Sequence, residues 1–293
     1  MLLRALAIVL SVSAPAIGVQ VCPSMTARRA FELESFVQRW YHLAPGRTFK
    51  LIDSSSVASD CYRKLIFRAN FPAPLLMLYL TPDGKHLVSE LMDLRVDPAV
   101  AQQRIQEQLN ARLVSGALLT SGKNTAPFTL VVFSDFECPY CRRFAEIFNR
   151  LTPQERSRVR IVYRQFPLKM HPWARDAAEL TDCVALQNKG AFWKLHNFIF
   201  ANQQEISKES FQTKALDFLA RSTAVDPKAV LSCMRKKRFE VPLSEDKQLA
   251  IDLGIRGTPS VFVNGRRTVV RSIGDLQAAL HIASSENAGA GSR

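Results

Sequence analysis

The stretch Phe133-Ser-Asp-Phe-Glu-Cys-Pro-Tyr-Cys-Arg-Arg-Phe144 carries Cys138 and Cys141, separated by Pro139 and Tyr140. The apolar run Phe128–Ser134 before them reads as a buried strand. The residues after them have helical period to about Leu151. A C-x-x-C at that junction puts Cys138 at a helix N-terminus. Unpaired backbone N–H groups and the positive end of the helix dipole stabilise a thiolate there. The thiolate is the reactive form of cysteine. Cys141 falls one turn on, close enough to attack a mixed disulfide on Cys138. Pro139 suits the first turn because it has no N–H to leave unsatisfied. The competing readings are a static disulfide and half of a structural zinc site. Such a zinc site needs a second ligand pair, and the chain has no second C-x-x-C and no clustered histidine pair. A redox pair is the reading adopted, with no metal.

Outward from this stretch, Arg158–Gln165 is a second strand and residues 173–253 are helical, with breaks near Gly190, Ser207 and Pro227. Ser260–Val263 and Thr268–Arg271 are strands flanking an Asn264-Gly265 turn, and Gly274–Ala283 is a closing helix. The order β-α-β, helical block, β-β-α is an α/β, thioredoxin-like layout with a helical insertion, spanning residues 127–283. Residues 284–293 are predicted to be a disordered tail. Residues 114–126 read as a linker, and residues 22–113 as a small α+β domain. That domain opens with a helix over 27–41, with Phe31, Phe36, Val37 and Trp40 as candidate core. Four strand-like runs follow, Thr48–Ile52, Tyr62–Phe67, Leu75–Leu80 and His86–Met92, with Thr81-Pro-Asp-Gly84 as the turn between the last two. Pro98 opens a second helix running to about Leu113.

A second chemical element, Gly257-Thr-Pro-Ser260, stands just before a strand. Pro259 is a candidate cis-proline. Its backbone would face the cysteines and leave the Thr258 main-chain groups free to pair with an extended client segment. An ordinary loop proline is the alternative, and the C-x-x-C weighs against it.

Phe133–Cys141, Tyr163-Arg-Gln-Phe-Pro-Leu168, His171-Pro172, Phe192-Trp193, His196 and Gly257–Gly265 together resemble the DsbA-type branch of the thioredoxin superfamily. The resemblance covers about residues 117–283. It implies an exported dithiol oxidase that passes a disulfide to folding proteins and is reoxidised by a quinone-linked membrane partner. Its redox group would be the cysteine pair itself, with no cofactor. By position, Cys138 is the nucleophile, Cys141 the resolving thiol and Pro259 the cis-proline. Pro139, Tyr140, Thr258 and Pro259 are the expected client-binding residues. In one departure, Val132 stands where many thioredoxin-like proteins place a buried acid, six residues before the nucleophile. Glu137 or a bound water is then the candidate proton acceptor for Cys141, with Asp135 and Glu137 expected at the rim. His171 and His196 read as structural. Leu78–Val88 and Met92-Asp-Leu94 resemble the cystatin-like dimerisation domain of the DsbC and DsbG isomerases, which implies pairing through residues 22–113.

The N-terminus reads as a secretory signal peptide, residues 1–16: Arg4, an apolar run from Ala5 to Val12, then Ala14-Pro-Ala16. A lipoprotein signal is disfavoured by Val21 before Cys22. An oxidising compartment makes the six cysteines candidates for disulfides. The four cysteines outside the C-x-x-C allow three pairings; keeping each bridge within its own domain favours Cys22–Cys61 and Cys183–Cys233, and export weighs against free thiols. The net charge of +13 excludes little by itself, but no nucleic-acid-binding module is present. A solvated basic surface suited to anionic lipid or acidic clients is the better reading. The competing functions are a dimeric isomerase or reductase, and a non-catalytic binding protein in which C-x-x-C is only a staple.

Overall fold

The Thr26 hydroxyl accepts the Arg29 N–H and starts helix α1 (Ala27–Trp40). The computed structural model describes residues 22, 24–57, 61–71, 73–91 and 97–290, so the expected signal peptide, Met92–Leu94 and residues 291–293 lie outside it. The chain divides into two compact units, the first made of residues 1–70 and 76–91. After α1 it forms an antiparallel meander of β1 (Phe49–Val57), β2 (Tyr62–Ala69), β3 (Leu76–Leu80) and β4 (Leu87–Val88). Leu33 and Val37 lie one turn apart on α1 and are its buried apolar residues. Phe31, Phe36 and Trp40 are exposed, which corrects their assignment to the core. Buried Glu34 shares that face, accepting the Leu51 N–H at 2.9 Å and the Lys50 ammonium at 3.3 Å. Cys22 and Cys61 are joined in a disulfide. The last strand is shorter than the run His86–Met92 suggested, and Gly84 supplies the positive φ (69°) of the turn before it.

The second unit comprises residues 71–75 and 92–293. It runs through α2 (Pro98–Val114), β5 (Leu119–Ser121), β6 (Phe128–Ser134), α3 (Pro139–Asn149), α4 (Pro153–Ser157) and β7 (Val159–Gln165). The helices α5 (Ala174–Gln187), α6 (Lys189–Ala201), α7 (Lys208–Ser222), α8 (Pro227–Arg235) and α9 (Glu240–Asp252) follow. The chain closes with β8 (Ser260–Val263), β9 (Arg266–Thr268) and α10 (Ile273–Ala290). The sheet order is β5-β7-β6-β8-β9. β6 and β7 are parallel, as a crossover through α3 requires, and the other pairs are antiparallel. Both faces of β6 are covered, which explains its unbroken apolar run: Leu130 and Val132 face the core containing α3, and Val131 and Phe133 face the other side with Leu113.

Four boundaries in this unit differ from the sequence reading. Helix α2, assigned there to residues 22–113, buries Leu113 against Val131, Phe133 and Val162 and belongs to the second unit. The stretch read as a linker contains β5, which pairs with β7. The last helix continues to Ala290 instead of ending at Ala283. Asn264 (φ 46°) and Gly265 (φ 82°) form the hairpin turn, and β9 starts directly after it, earlier than Thr268–Arg271. A Cβ on Gly265 would lie 2.1 Å from the Gln106 carbonyl oxygen, so the turn also needs glycine for space.

In the interior of this unit, Arg164 on β7 reaches Asp246 on α9 at 2.6 Å. Its Nε and Nη2 groups donate to the carbonyls of Leu113 and Ser115, which end α2. Asp246 also accepts the Gln165 N–H at 2.8 Å. Cys183 on α5 and Cys233 on α8 are joined in a disulfide.

Candidate active site

Cys138 is the N-cap of α3, with extended backbone and no side-chain cap of its own. Its carbonyl accepts the N–H groups of Cys141 (3.1 Å) and Arg142 (3.2 Å), which begins the helix. Cys138 and Cys141 are the free thiols among the described residues. Buried Cys141 faces the core, where its sulfur accepts the Asp135 N–H at 3.4 Å. The Cys138 thiol donates to the Thr258 carbonyl at 3.4 Å, and the Thr258–Pro259 bond is cis. The structure thus brings together two motifs 120 residues apart.

The two thiols are driven in opposite directions. Cys138 is pulled from 9.0 down to about 5, first by the hydrogen bond from Cys141; burial opposes this, and the Thr258 hydroxyl adds to it. That hydroxyl is buried with no other partner, so it is available to an ionised Cys138. Cys141 is pushed well above its ordinary value by burial and then by Cys138. One sulfur is therefore ionised at neutral pH and the other keeps its proton, which is the difference a nucleophile and a resolving thiol need.

The loop before α3 is held from below. Asp135, expected at the rim, is buried, because its carboxylate has three partners inside the fold. It accepts the N–H groups of Glu137 and Leu168, both at 2.7 Å, and pairs with His171 Nδ1 at 2.8 Å. Glu137 is half-buried and accepts the Trp173 N–H at 2.7 Å; desolvation raises its pKa. Buried Gln203, which the sequence reading did not single out, donates to the carbonyls of Phe136 (2.8 Å) and Cys138 (3.0 Å). Nothing local marks it, since it lies in the helical block 65 residues from Cys138. His196 is buried among the rings of Phe136, Tyr163, Trp193 and Phe200. Burial lowers its pKa to about 4, so it is a neutral packing residue. Val132 packs in the same apolar core as Cys141 and offers no proton acceptor. Pro139 and Tyr140 are exposed beside Cys138. A groove of about 450 Å³ opens next to them, lined on its other side by Thr258 and Pro259. Among the described residues no cluster of three or more His, Cys, Asp or Glu side chains is arranged to hold a metal.

A thioredoxin-like fold with a C-x-x-C at the start of α3 and a cis-proline against it defines the class. The chain belongs to the thioredoxin family, which it matches over residues 115–281. Disulfide bond formation protein D of Bacillus subtilis is 27% identical over 157 residues, 53% of this chain and 70% of that protein. The Na(+)/H(+) antiporter NhaA 3 of Salinispora tropica is 36% identical over 149 residues, half of this chain but 21% of the antiporter. The chain thus spans about a fifth of the antiporter relatives it matches. No helix among the described residues is long and apolar enough to cross a membrane. Among solved structures, the thiol-disulfide exchange protein alpha-DsbA2 of Wolbachia pipientis matches with a TM-score of 0.53 and 18% identity, over 67% of this chain and 99% of that one. BcfH of Salmonella enterica Typhimurium matches with a TM-score of 0.51 and 25% identity, over 63% of this chain and 82% of that one.

Proposed function

We propose that this chain is a thiol:disulfide oxidoreductase that donates the Cys138–Cys141 disulfide to reduced client proteins. The observation that carries the reading is the opposed ionisation of the two thiols, with the Cys138 sulfur against Thr258 and Pro259. In the forward reaction a client thiolate attacks Cys138, forming a mixed disulfide, and Cys141 leaves and takes up a proton. A second client thiolate attacks the client sulfur of that bond, and Cys138 leaves as a thiolate. The client loses two electrons and two protons; the Cys138–Cys141 disulfide becomes a Cys138 thiolate and a Cys141 thiol, and the second proton goes to solvent. A leaving thiol with a low pKa speeds the second step and makes the couple more oxidising. In a thiolate held at the start of a helix, backbone N–H groups supply part of that stabilisation. Pro139 and Tyr140 would border the client, with Thr258 and Pro259 supplying the opposite edge.

The test is dithiol-peptide oxidation by the oxidised full chain. Cys138→Ser should abolish turnover. Cys141→Ser, offered the disulfide form of the peptide instead, should accumulate a mixed disulfide through Cys138, visible by mass, because no resolving thiol remains. Full turnover by the Cys138 variant would refute the assignment.

The same reading places the chain in an exported, periplasmic setting, where the Cys22–Cys61 and Cys183–Cys233 disulfides persist. The clients are then unfolded or reduced secreted proteins. The reduced pair is returned to the disulfide by a quinone-linked membrane partner, and the chain needs no bound cofactor. Glu137 remains the proposed proton acceptor for Cys141, its pKa raised by burial toward the range a base needs. The exposed Phe31, Phe36 and Trp40 favour a homodimer through the first unit. The dimeric isomerase is not favoured, since the relatives include a disulfide bond formation protein and the fold matches that of a thiol-disulfide exchange protein, alpha-DsbA2.

A further inference from the structure

The groove beside Cys138 is cationic along its length. Its walls carry Arg143 from α3, Arg267 from β9 and Arg271 beyond that strand, and no Asp or Glu lines it. All three arginines are exposed. Arg267 is held over the groove by donating to Ser260 Oγ at 3.3 Å. Asp275, outside the groove, accepts the backbone N–H groups of Arg271 and Ser272 at Oδ2, and its pKa is lowered first by the Arg271 N–H and also by the Arg271 charge. A second concavity continues from Tyr140 and Arg143 past Arg142 and Arg150. Its one acid, Glu146, lies 4.0 Å from Arg142. The apolar lining of the groove includes Tyr140, Pro259 and Val269, of which Tyr140 is 71% exposed and Val269 67% exposed. An extended chain paired with the Thr258 main chain would run between these residues, with its side chains within reach of the guanidinium groups.

We infer that this groove selects client segments in which Asp or Glu side chains flank the reacting cysteine. The inference rests on the function proposed above and names its substrate class. Three guanidinium groups around a channel that no carboxylate lines attract carboxylates and repel lysine. Because the channel is concave, the field is focused where the client must lie. Arg also pairs with carboxylates in a fork that fixes the segment's register, which a diffuse positive surface does not do.

The test uses the oxidised full chain and three reduced dithiol peptides, identical except that the residues flanking one cysteine are Asp/Glu, Asn/Gln or Lys. At low ionic strength the rate constants should rank acidic over neutral over basic, spanning about ten-fold or more. At about 0.5 M salt, where the screening length falls to about 4 Å, the span should shrink. The variant R143Q/R267Q/R271Q should bring the three rates together. A control, R235Q/K236Q/R238Q, removes the same charge from exposed residues that do not line the groove and should keep the ranking. Equal rates for the three peptides would overturn the inference, as would a ranking unaffected by the groove variant. Equal loss of ranking in the control would also overturn it, by tracing the effect to net charge. Groove arginines serving an anionic lipid surface instead would give equal peptide rates, the first of these outcomes. Oxidation of none of the peptides would fail the proposed function itself, whereas equal but rapid oxidation fails only the selectivity.

Discussion

Cys138 and Cys141 are identical in chemistry and one helical turn apart, yet their protons are held very differently. The reduced protein draws stability from Cys138 that is complete above pH 9.0 and is lost as pH falls through about 5. Alkylation of the reduced chain should therefore rise with a midpoint near pH 5, and Thr258→Val, which removes a donor to that sulfur, should move the midpoint upward. A midpoint near the ordinary thiol value would contradict the geometry. Asp182 carries the opposite sign. Burial raises its pKa from 3.8 to about 8, so its contribution is full below pH 3.8 and is lost as pH rises through about 8. Its Oδ2 and the Gln165 Oε1 are both unpartnered, while the Gln165 amide donates to Asp182 Oδ1 at 3.1 Å. Asp246 shifts in the same direction but only to about 6, so between pH 6 and 8 it is Asp182 that still titrates. In urea titrations of the oxidised protein, wild type should lose stability over that interval and Asp182→Asn should stay flat. Parallel slopes would remove Asp182 from the account. At this scale the cysteines and Pro259 were legible because each sits in a short local motif. Asp135 and Gln203 were not, since their roles depend on partners brought in by folding.

Among the elements, α2 shows how a local reading can be right about structure and wrong about membership. Pro98 opens the helix as expected, and Asp97 caps it by accepting the Ala99 N–H at 2.7 Å. Which sheet the helix serves was decided by Leu113, and by Arg164, which binds the carbonyls at the helix end. The Arg164–Asp246 pair links α2, β7 and α9 in a place with little water. Asp246→Ala should cost about 3–5 kcal/mol by leaving the guanidinium buried and uncompensated. Arg164→Met with Asp246→Leu should cost less than either single change, although two polar partners are lost. Urea midpoints of the three variants would show it, and a double variant worse than both singles would reject the argument. Helix α1 shows a different failure. Its period predicted a helix, but the apolar residues occupy more than one face, and aromatic bulk does not say which face is buried.

For the whole molecule, each compact unit contains its own disulfide. Cys183 and Cys233 are 50 residues apart in sequence. Chain entropy alone gives such a bridge about 4 kcal/mol. The Cys183→Ala/Cys233→Ala variant should lower the stability of the second unit by about that amount, and Cys22→Ala/Cys61→Ala should act on the first. Unfolding followed by a probe in each unit would separate the two effects, and a single shared shift would show that the units do not unfold independently. By itself the amino-acid order determined the cysteine pair at a helix start, the buried strand before it, the helical block and the order of elements. Each of these depends on neighbours along the chain, through periodicity, turn residues and the special backbones of proline and glycine. Only the tertiary structure decided that Thr258 meets Cys138, that Asp135 is buried and that three arginines share one groove. Those outcomes depend on contacts between segments far apart in the chain, where local preference carries no information about distance.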